Sequence, residues 1–369
     1  MNLADLLRHR WLTPALLLLA MAATVLIYAP GLSGGWLFDD YPNIVDNAEV
    51  LPEEATLASL TDAALSSPSS RFKRPLASLS FAANHLAGGL EPFGWKLTNL
   101  AIHLLNGLFV FLLVRGLLYA VARLHGSAVA LPGQRGSNDW LAVLIAAAWL
   151  LLPINLTAVL YVVQRMESLA NLFVLIGLVS YVSARTRMLL QGRGGLGWCV
   201  ASLIVPTALG MGAKETAVML PLYAFLVEWL VFGFGGIASP GKARGNASGQ
   251  LHDRRLMVLF VIVLWLPMLA GLAWLLPGLL QPGAWATRDF SLETRLLSEA
   301  RIVPGYIAWT VLPTPQWLSF YHDDFVPSAG FLHPWTTLAS MLLIVALLGI
   351  AWWQRHRRQI GRASCRERV

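Results

Sequence analysis

The sequence predicts an all-α polytopic membrane protein, a bundle of about eight spanning helices with two large loops on one side. Three observations carry that expectation. Of the 369 residues, 56% are hydrophobic and only 13% charged, and the mean hydropathy is +0.60, outside the range of soluble domains. Apolar runs near the length of ~20 residues that crosses a bilayer recur along the whole chain. Lys and Arg also gather in alternate connecting segments, as they do on the cytoplasmic side of spanning bundles.

The first run, Trp11 to Tyr28, follows Arg8 and Arg10. It is too long for a signal-peptide core and lacks a small-residue cleavage site before Pro30, so it reads as an uncleaved anchor. The other runs centre on Trp95–Tyr119, Trp140–Leu152, Leu169–Val182, Gly197–Met211, Ala217–Phe232, Leu256–Leu276 and Trp335–Trp353. Basic residues place the N terminus and the segments around Arg123/Arg135, Arg185/Arg187/Arg193, Lys242/Arg244/Arg254/Arg255 and Arg355/Arg357/Arg358 in the cytoplasm. The pI of about 9.7 is then a topology signal and implies no nucleic-acid partner. Two cysteines, Cys199 within a run and Cys365 in the tail, exclude a disulfide framework and a cysteine metal site. The sequon Asn246-Ala247-Ser248 lies in a loop assigned to the cytoplasm and reads as chance.

Most acidic residues fall on the other side, in two long segments and two short turns. The first long segment, 31–94, begins with Phe38-Asp39-Asp40-Tyr41-Pro42-Asn43-Ile44. Adjacent carboxylates at the mouth of a membrane bundle repel each other and are costly to desolvate, so the pair needs a chemical reason. The rest of this segment is a polar stretch with an Ala/Leu-rich short helix expected over 54–66, followed by Arg71-Phe72-Lys73-Arg74-Pro75. The second long segment, 281–334, carries Arg288, Glu293, Arg295, Arg301 and Tyr321-His322-Asp323-Asp324. Its apolar stretch Ile302–Leu312 is too short to span and reads as re-entrant or interfacial. The turns are Pro153–Thr157, leading to Gln164-Arg165-Met166-Glu167, and Gly212-Ala213-Lys214-Glu215-Thr216. Charges at membrane depth usually line a cavity or meet a partner.

Taken in order, Phe38-Asp39-Asp40, Arg74-Pro75-Leu76 through Asn99–Asn106, Gln164–Ala170, Lys214-Glu215-Thr216 with Leu220-Pro221, Arg288–Leu292 and Tyr321-His322-Asp323 resemble the GT-C glycosyltransferases. Closest in pattern are the protein O-mannosyltransferase-like enzymes with C-terminal TPR repeats and their bacterial pilin-glycosylating relatives. The resemblance runs from Phe38 to Trp353. Two departures stand out: Asn155 and Thr157 occupy a turn where many relatives carry His and acidic residues, and no TPR repeat is present.

The resemblance implies a GT-C-type transmembrane domain over 1–359. It also implies an enzyme that takes a sugar from a polyprenyl-phosphate carrier and delivers it to an acceptor hydroxyl outside the cytoplasm. Asp39 or Asp40 would serve as the catalytic base, and Arg165, Lys214 and Arg288 as partners of the donor phosphate. Glu167, Glu215, His322 and Asp323 would be acceptor-side or supporting residues. The acceptor would be a protein Ser/Thr hydroxyl such as that of a pilin, with a lipid or glycan as the alternative. Localisation in a bacterial inner membrane with a periplasmic active site is expected. No cofactor is specified; a divalent metal is left open, since no spacing defines its ligands.

The residues also admit plainer readings. The Asp pair could cap a helix or pair with Arg71–Arg74, Arg165 with Glu167 could be an interfacial ion pair, and Lys214 could snorkel. A lipid-sugar flippase is the rival function, although no internal repeat of the transporter kind is visible; an inactive scaffold is the third. The tail Ile360–Val369 reads as a frame through a common sequencing-adapter oligonucleotide, so the natural chain is expected to diverge after Gln359.

Overall fold

The computed structural model describes residues 11–124, 134–191, 195–236, 252–281, 283–314 and 325–364, with side chains except at 134–138 and 354–364. Arg8, Arg10, Lys242, Arg244, the sequon at 246–248, His322, Asp323 and the last residues of the tail lie outside them. The described residues are helical throughout, apart from turns and one isolated bridge between Gly235 and His252. The protein is an all-α polytopic membrane protein.

In chain order the helices are α1 (Leu12–Tyr28), α2 (Leu57–Leu65), α3 (Pro75–Gly88), α4 (Pro92–Leu124), α5 (Gln134–Leu150), α6 (Leu156–Leu160), α7 (Arg165–Gln191) and α8 (Leu196–Met211). They continue with α9 (Leu220–Val227), α10 (Arg254–Phe260), α11 (Leu266–Leu279), α12 (Leu292–Val311) and α13 (Thr336–Ser364). A 3₁₀ turn Glu215–Met219 precedes α9, a π-helical turn Glu228–Phe232 extends it, and another, Val261–Trp265, joins α10 to α11.

Every predicted apolar run is helical, but the runs are not equally long. Among the described residues, six helices are long and apolar enough to cross a bilayer. A seventh span exists if the pair Asp139–Leu150 and Pro153–Leu160, bent by 53° where Pro153 cannot continue the helix, is counted as one. The remaining run, α8, has 16 residues and so rises only about 24 Å, short of a hydrocarbon core of about 30 Å. The stretch Ile302–Leu312, expected as re-entrant or interfacial, forms the second half of the continuous α12, with Pro304 inside it. The short helix expected over 54–66 is α2, and its start is explained by a capping box between Thr56 and Ser59.

The chain divides into two compact units, Met1–Met268 and Leu269–Val369. In the first, α7 is the central post, packed against α4 and α8, while α5 packs on α4 and α1 on α5. Gly177 makes the α7 contact possible, because a Cβ there would stand 2.9 Å from the Ser202 carbonyl oxygen and 2.4 Å from a Leu220 methyl. In the second unit α12 packs on α13. Ser328 donates its backbone N–H to Ser298 Oγ (2.9 Å), Thr337 donates to Ser328 Oγ (2.9 Å), and Arg301 reaches the Val326 carbonyl (2.7 Å).

Candidate active site

Phe38, Asp39 and Asp40 sit on the turn that follows α1, and the two carboxylates have opposite fates. Asp40 is fully buried, and its two oxygens accept backbone N–H groups from Leu37 (3.0 Å) and from Val163 on a remote segment (2.7 Å). Burial raises its pKa above the ordinary carboxylate range, and the backbone donors and the charge of Lys96 pull it back only in part. Asp39 is exposed; its backbone N–H donates to the hydroxyl of Tyr161 (2.9 Å). Phe38 holds the turn in a left-handed conformation, φ 37°, which a residue with a Cβ adopts only when its surroundings impose it. Asp40 is therefore an anchor, and Asp39 is the carboxylate presented outward.

Two buried cations brace this anchor. Lys96, on the first turns of α4, donates to the carbonyls of Gly34 (2.7 Å) and Gly35 (3.0 Å) in the approach to the turn. Arg165, at the start of α7, is fully buried, and each of its three nitrogens donates within the protein: Nε to Asn99 Oδ1 (2.7 Å), and the other two to the carbonyls of Ser80 (3.0 Å) and Trp95 (2.8 Å). Its guanidinium also lies over the rings of Phe81 and Trp95. Arg165, expected to hold the donor phosphate, has all three nitrogens bonded within the protein and joins α3, α4 and α7.

The partly exposed charges of the same unit are paired. Lys214 pairs with Glu167 (3.0 Å), with the side chains 26% and 43% exposed. Arg74 pairs with Glu215 (2.9 Å), which also accepts from Ser70. Arg74 and its neighbour Lys73 both have positive φ (46° and 61°), a second site of backbone strain. The segment leading into this turn is tied to the first one: Asn43, which donates to the Asp39 carbonyl (2.8 Å), accepts from Ser69 Oγ, and Asn47 reaches across to the Ser66 carbonyl (3.4 Å). The Leu76 N–H donates to Gly212 (2.7 Å), which fixes α3 to the Lys214 turn. Arg71 and Lys73 are exposed on the same turn and have no ion pair among the described residues.

The first unit thus carries Asp39, Asp40, Arg165, Glu167, Lys214 and Glu215 on three separate segments. Arg288 belongs to the second unit, where its guanidinium lies over the Phe290 ring; its assignment rests on the resemblance alone. Among the described residues no group of three or more His, Cys, Asp or Glu side chains is placed to hold a metal ion.

No protein-family model matches the chain, and no solved structure does. Curated relatives exist, and they share one name. The chain is 29% identical over 169 residues to "Protein O-mannosyl-transferase Tmtc3" of Drosophila melanogaster, covering 44% of this chain and 18% of the relative. It is 33% identical over 136 residues to "Protein O-mannosyl-transferase tmtc2" of Xenopus laevis (31% and 16%). With "Protein O-mannosyl-transferase TMTC2" of Homo sapiens the similarity extends over 351 residues at 26% identity, 91% of this chain and 38% of the relative. The chain therefore spans well under two thirds of the length of these relatives.

Sequence reasoning missed Tyr161 and Lys96 as parts of the site. Lys96 carried a legible signal, a single cation at the start of an apolar run. Tyr161 carried none, since its partner is 122 residues away.

Proposed function

We propose that the protein is an integral-membrane glycosyltransferase that moves a sugar from a polyprenyl-phosphate carrier to a Ser/Thr hydroxyl of a protein acceptor. The observation that carries this reading is the split of the Asp pair, with Asp40 locked by backbone donors and Asp39 exposed on a strained turn, in the unit that also carries Lys214 and the exposed cations Arg71 and Lys73. The shared name of the curated relatives supports protein O-glycosylation. The polyprenyl-phosphate donor and a pilin-type acceptor are the finer parts of the proposal, as are a bacterial inner membrane, a cytoplasmic N terminus and a periplasmic site.

In this mechanism the Asp39 carboxylate takes the proton of the acceptor hydroxyl as its oxygen attacks the anomeric carbon. The bond between that carbon and the phosphate oxygen breaks, and the electron pair leaves with the phosphate. Lys214 releases Glu167 to neutralise the departing charge, assisted by the exposed cations of the 71–74 turn. Asp40, Lys96 and Arg165 position the turn without touching substrate.

The test is transfer of radiolabel from polyprenyl-phosphate sugars to a protein acceptor extract in proteoliposomes, with wild type beside Asp39→Asn. Label on protein that disappears in the variant supports the reading. Label that only moves between leaflets would establish the flippase in its place.

A further inference from the structure

Away from the Asp turn, the other end of the first unit carries a groove that the proposed reaction does not use. α7 has 27 residues, so its last turns lie about 40 Å from Arg165. There α8 begins, and Leu196 and Val200 on it face Val258, Leu259 and Ile262 of α10 and the π-turn across a cavity of about 390 Å³. That is within the range of small-ligand sites, about 300–1,000 Å³. The five residues are all aliphatic, and Val258 and Ile262 are more than half exposed. Arg254 and Arg255 complete the lining at one end.

The two arginines are not equivalent. Asp253 accepts from Arg255 at both carboxylate oxygens (3.0 and 2.9 Å), so that charge is neutralised. Arg254 is exposed and has no ion pair among the described residues. Among the described residues the end of the groove therefore bears one positive charge without an ion pair, while its length offers only hydrocarbon. We propose that this groove binds an anionic glycerophospholipid, one acyl chain between α8 and α10 and the phosphate on Arg254. An unfilled aliphatic groove forfeits van der Waals contact along its length, and an acyl chain restores it without bringing a polar group. An extended polar peptide would bring backbone and side-chain groups that the aliphatic lining cannot bond. Basic sites between spanning helices are suited to anionic headgroups by the same electrostatics.

The test is native mass spectrometry of the purified protein titrated with phosphatidylglycerol or phosphatidylcholine. Wild type is expected to retain one phosphatidylglycerol in preference to phosphatidylcholine. Arg254→Gln should reduce that preference about fivefold, the worth of one interfacial arginine, while Arg254→Lys keeps it. Val258→Trp, at an exposed position, should fill the groove and weaken retention of both lipids, with an unchanged elution profile reporting an intact fold. Equal retention of both lipids by wild type would overturn the proposal. So would phosphatidylglycerol retention that survives both Arg254→Gln and Val258→Trp, or a wild-type dimer that Val258→Trp converts to monomer, which would assign the groove to a second copy of the chain.

Discussion

Adjacent aspartates that differ in burial should separate stability from activity when they are changed one at a time. In Asp40→Ala the Leu37 and Val163 N–H groups, now 3.0 and 2.7 Å from a carboxylate oxygen, lose their acceptor in a fully buried place. An orphaned buried donor costs about 1–3 kcal/mol, so the pair costs about 2–6 kcal/mol. At 2–4 °C per kcal/mol for domains of this order of size, the melting midpoint should fall by roughly 4–24 °C. Asp39→Asn alters an exposed side chain and should stay within about 0.5 kcal/mol of wild type. Its sugar transfer should nevertheless drop by roughly 10²–10⁴, the usual contribution of a general base. Thermal unfolding followed by tryptophan fluorescence in detergent, with the transfer assay run on the same samples, measures both quantities. The reasoning fails if Asp40→Ala melts with wild type, or if Asp39→Asn transfers sugar at the wild-type rate.

Further expectations follow from the buried groups. Because burial raises the folded-state pKa of Asp40, ionisation favours the unfolded chain. The stability Asp40 contributes is complete below its unfolded value of about 3.9 and is lost as pH rises through the higher folded value. Melting midpoints between about pH 3.5 and 8 should thus show wild type losing ground to Asp40→Asn as pH rises; a difference independent of pH would contradict this. Arg165→Lys keeps the charge but cannot supply three donors in a plane to Asn99, Ser80 and Trp95, and should lose several kcal/mol, read as a lower melting midpoint. Glu228→Gln should cost about 3–5 kcal/mol, because Glu228 is the fully buried partner of Arg185 (2.9 Å) and also accepts from Tyr181 (2.8 Å). Pairing it with Arg185→Met should recover part of that loss in the same melting assay, since the uncompensated charge is then removed as well.

Arg185 shows where one-dimensional reading reaches its limit. Its position after an apolar run marked it as a cytoplasmic topology charge, but the structure buries it completely between Glu228 and the Gly235 carbonyl, over the Phe232 ring. The lone acid Glu228 inside an apolar run was the available clue, and only its partner, 43 residues away, was hidden.

The amino-acid sequence by itself determined the class of protein, the helical identity of every apolar run and the chain segments in which charge gathers between those runs. Those features are local: a bilayer demands some twenty apolar residues in succession, and a helix satisfies its own backbone. Tertiary structure alone decided what the charges do. It buried Asp40 and exposed its neighbour, because Val163 offers an N–H from a segment 123 residues away. It gave Arg165 to the protein interior, because α3 and α4 direct two carbonyls and the Asn99 side chain at it. A side chain's role depends on which distant group satisfies it, and that information appears only when the chain is folded.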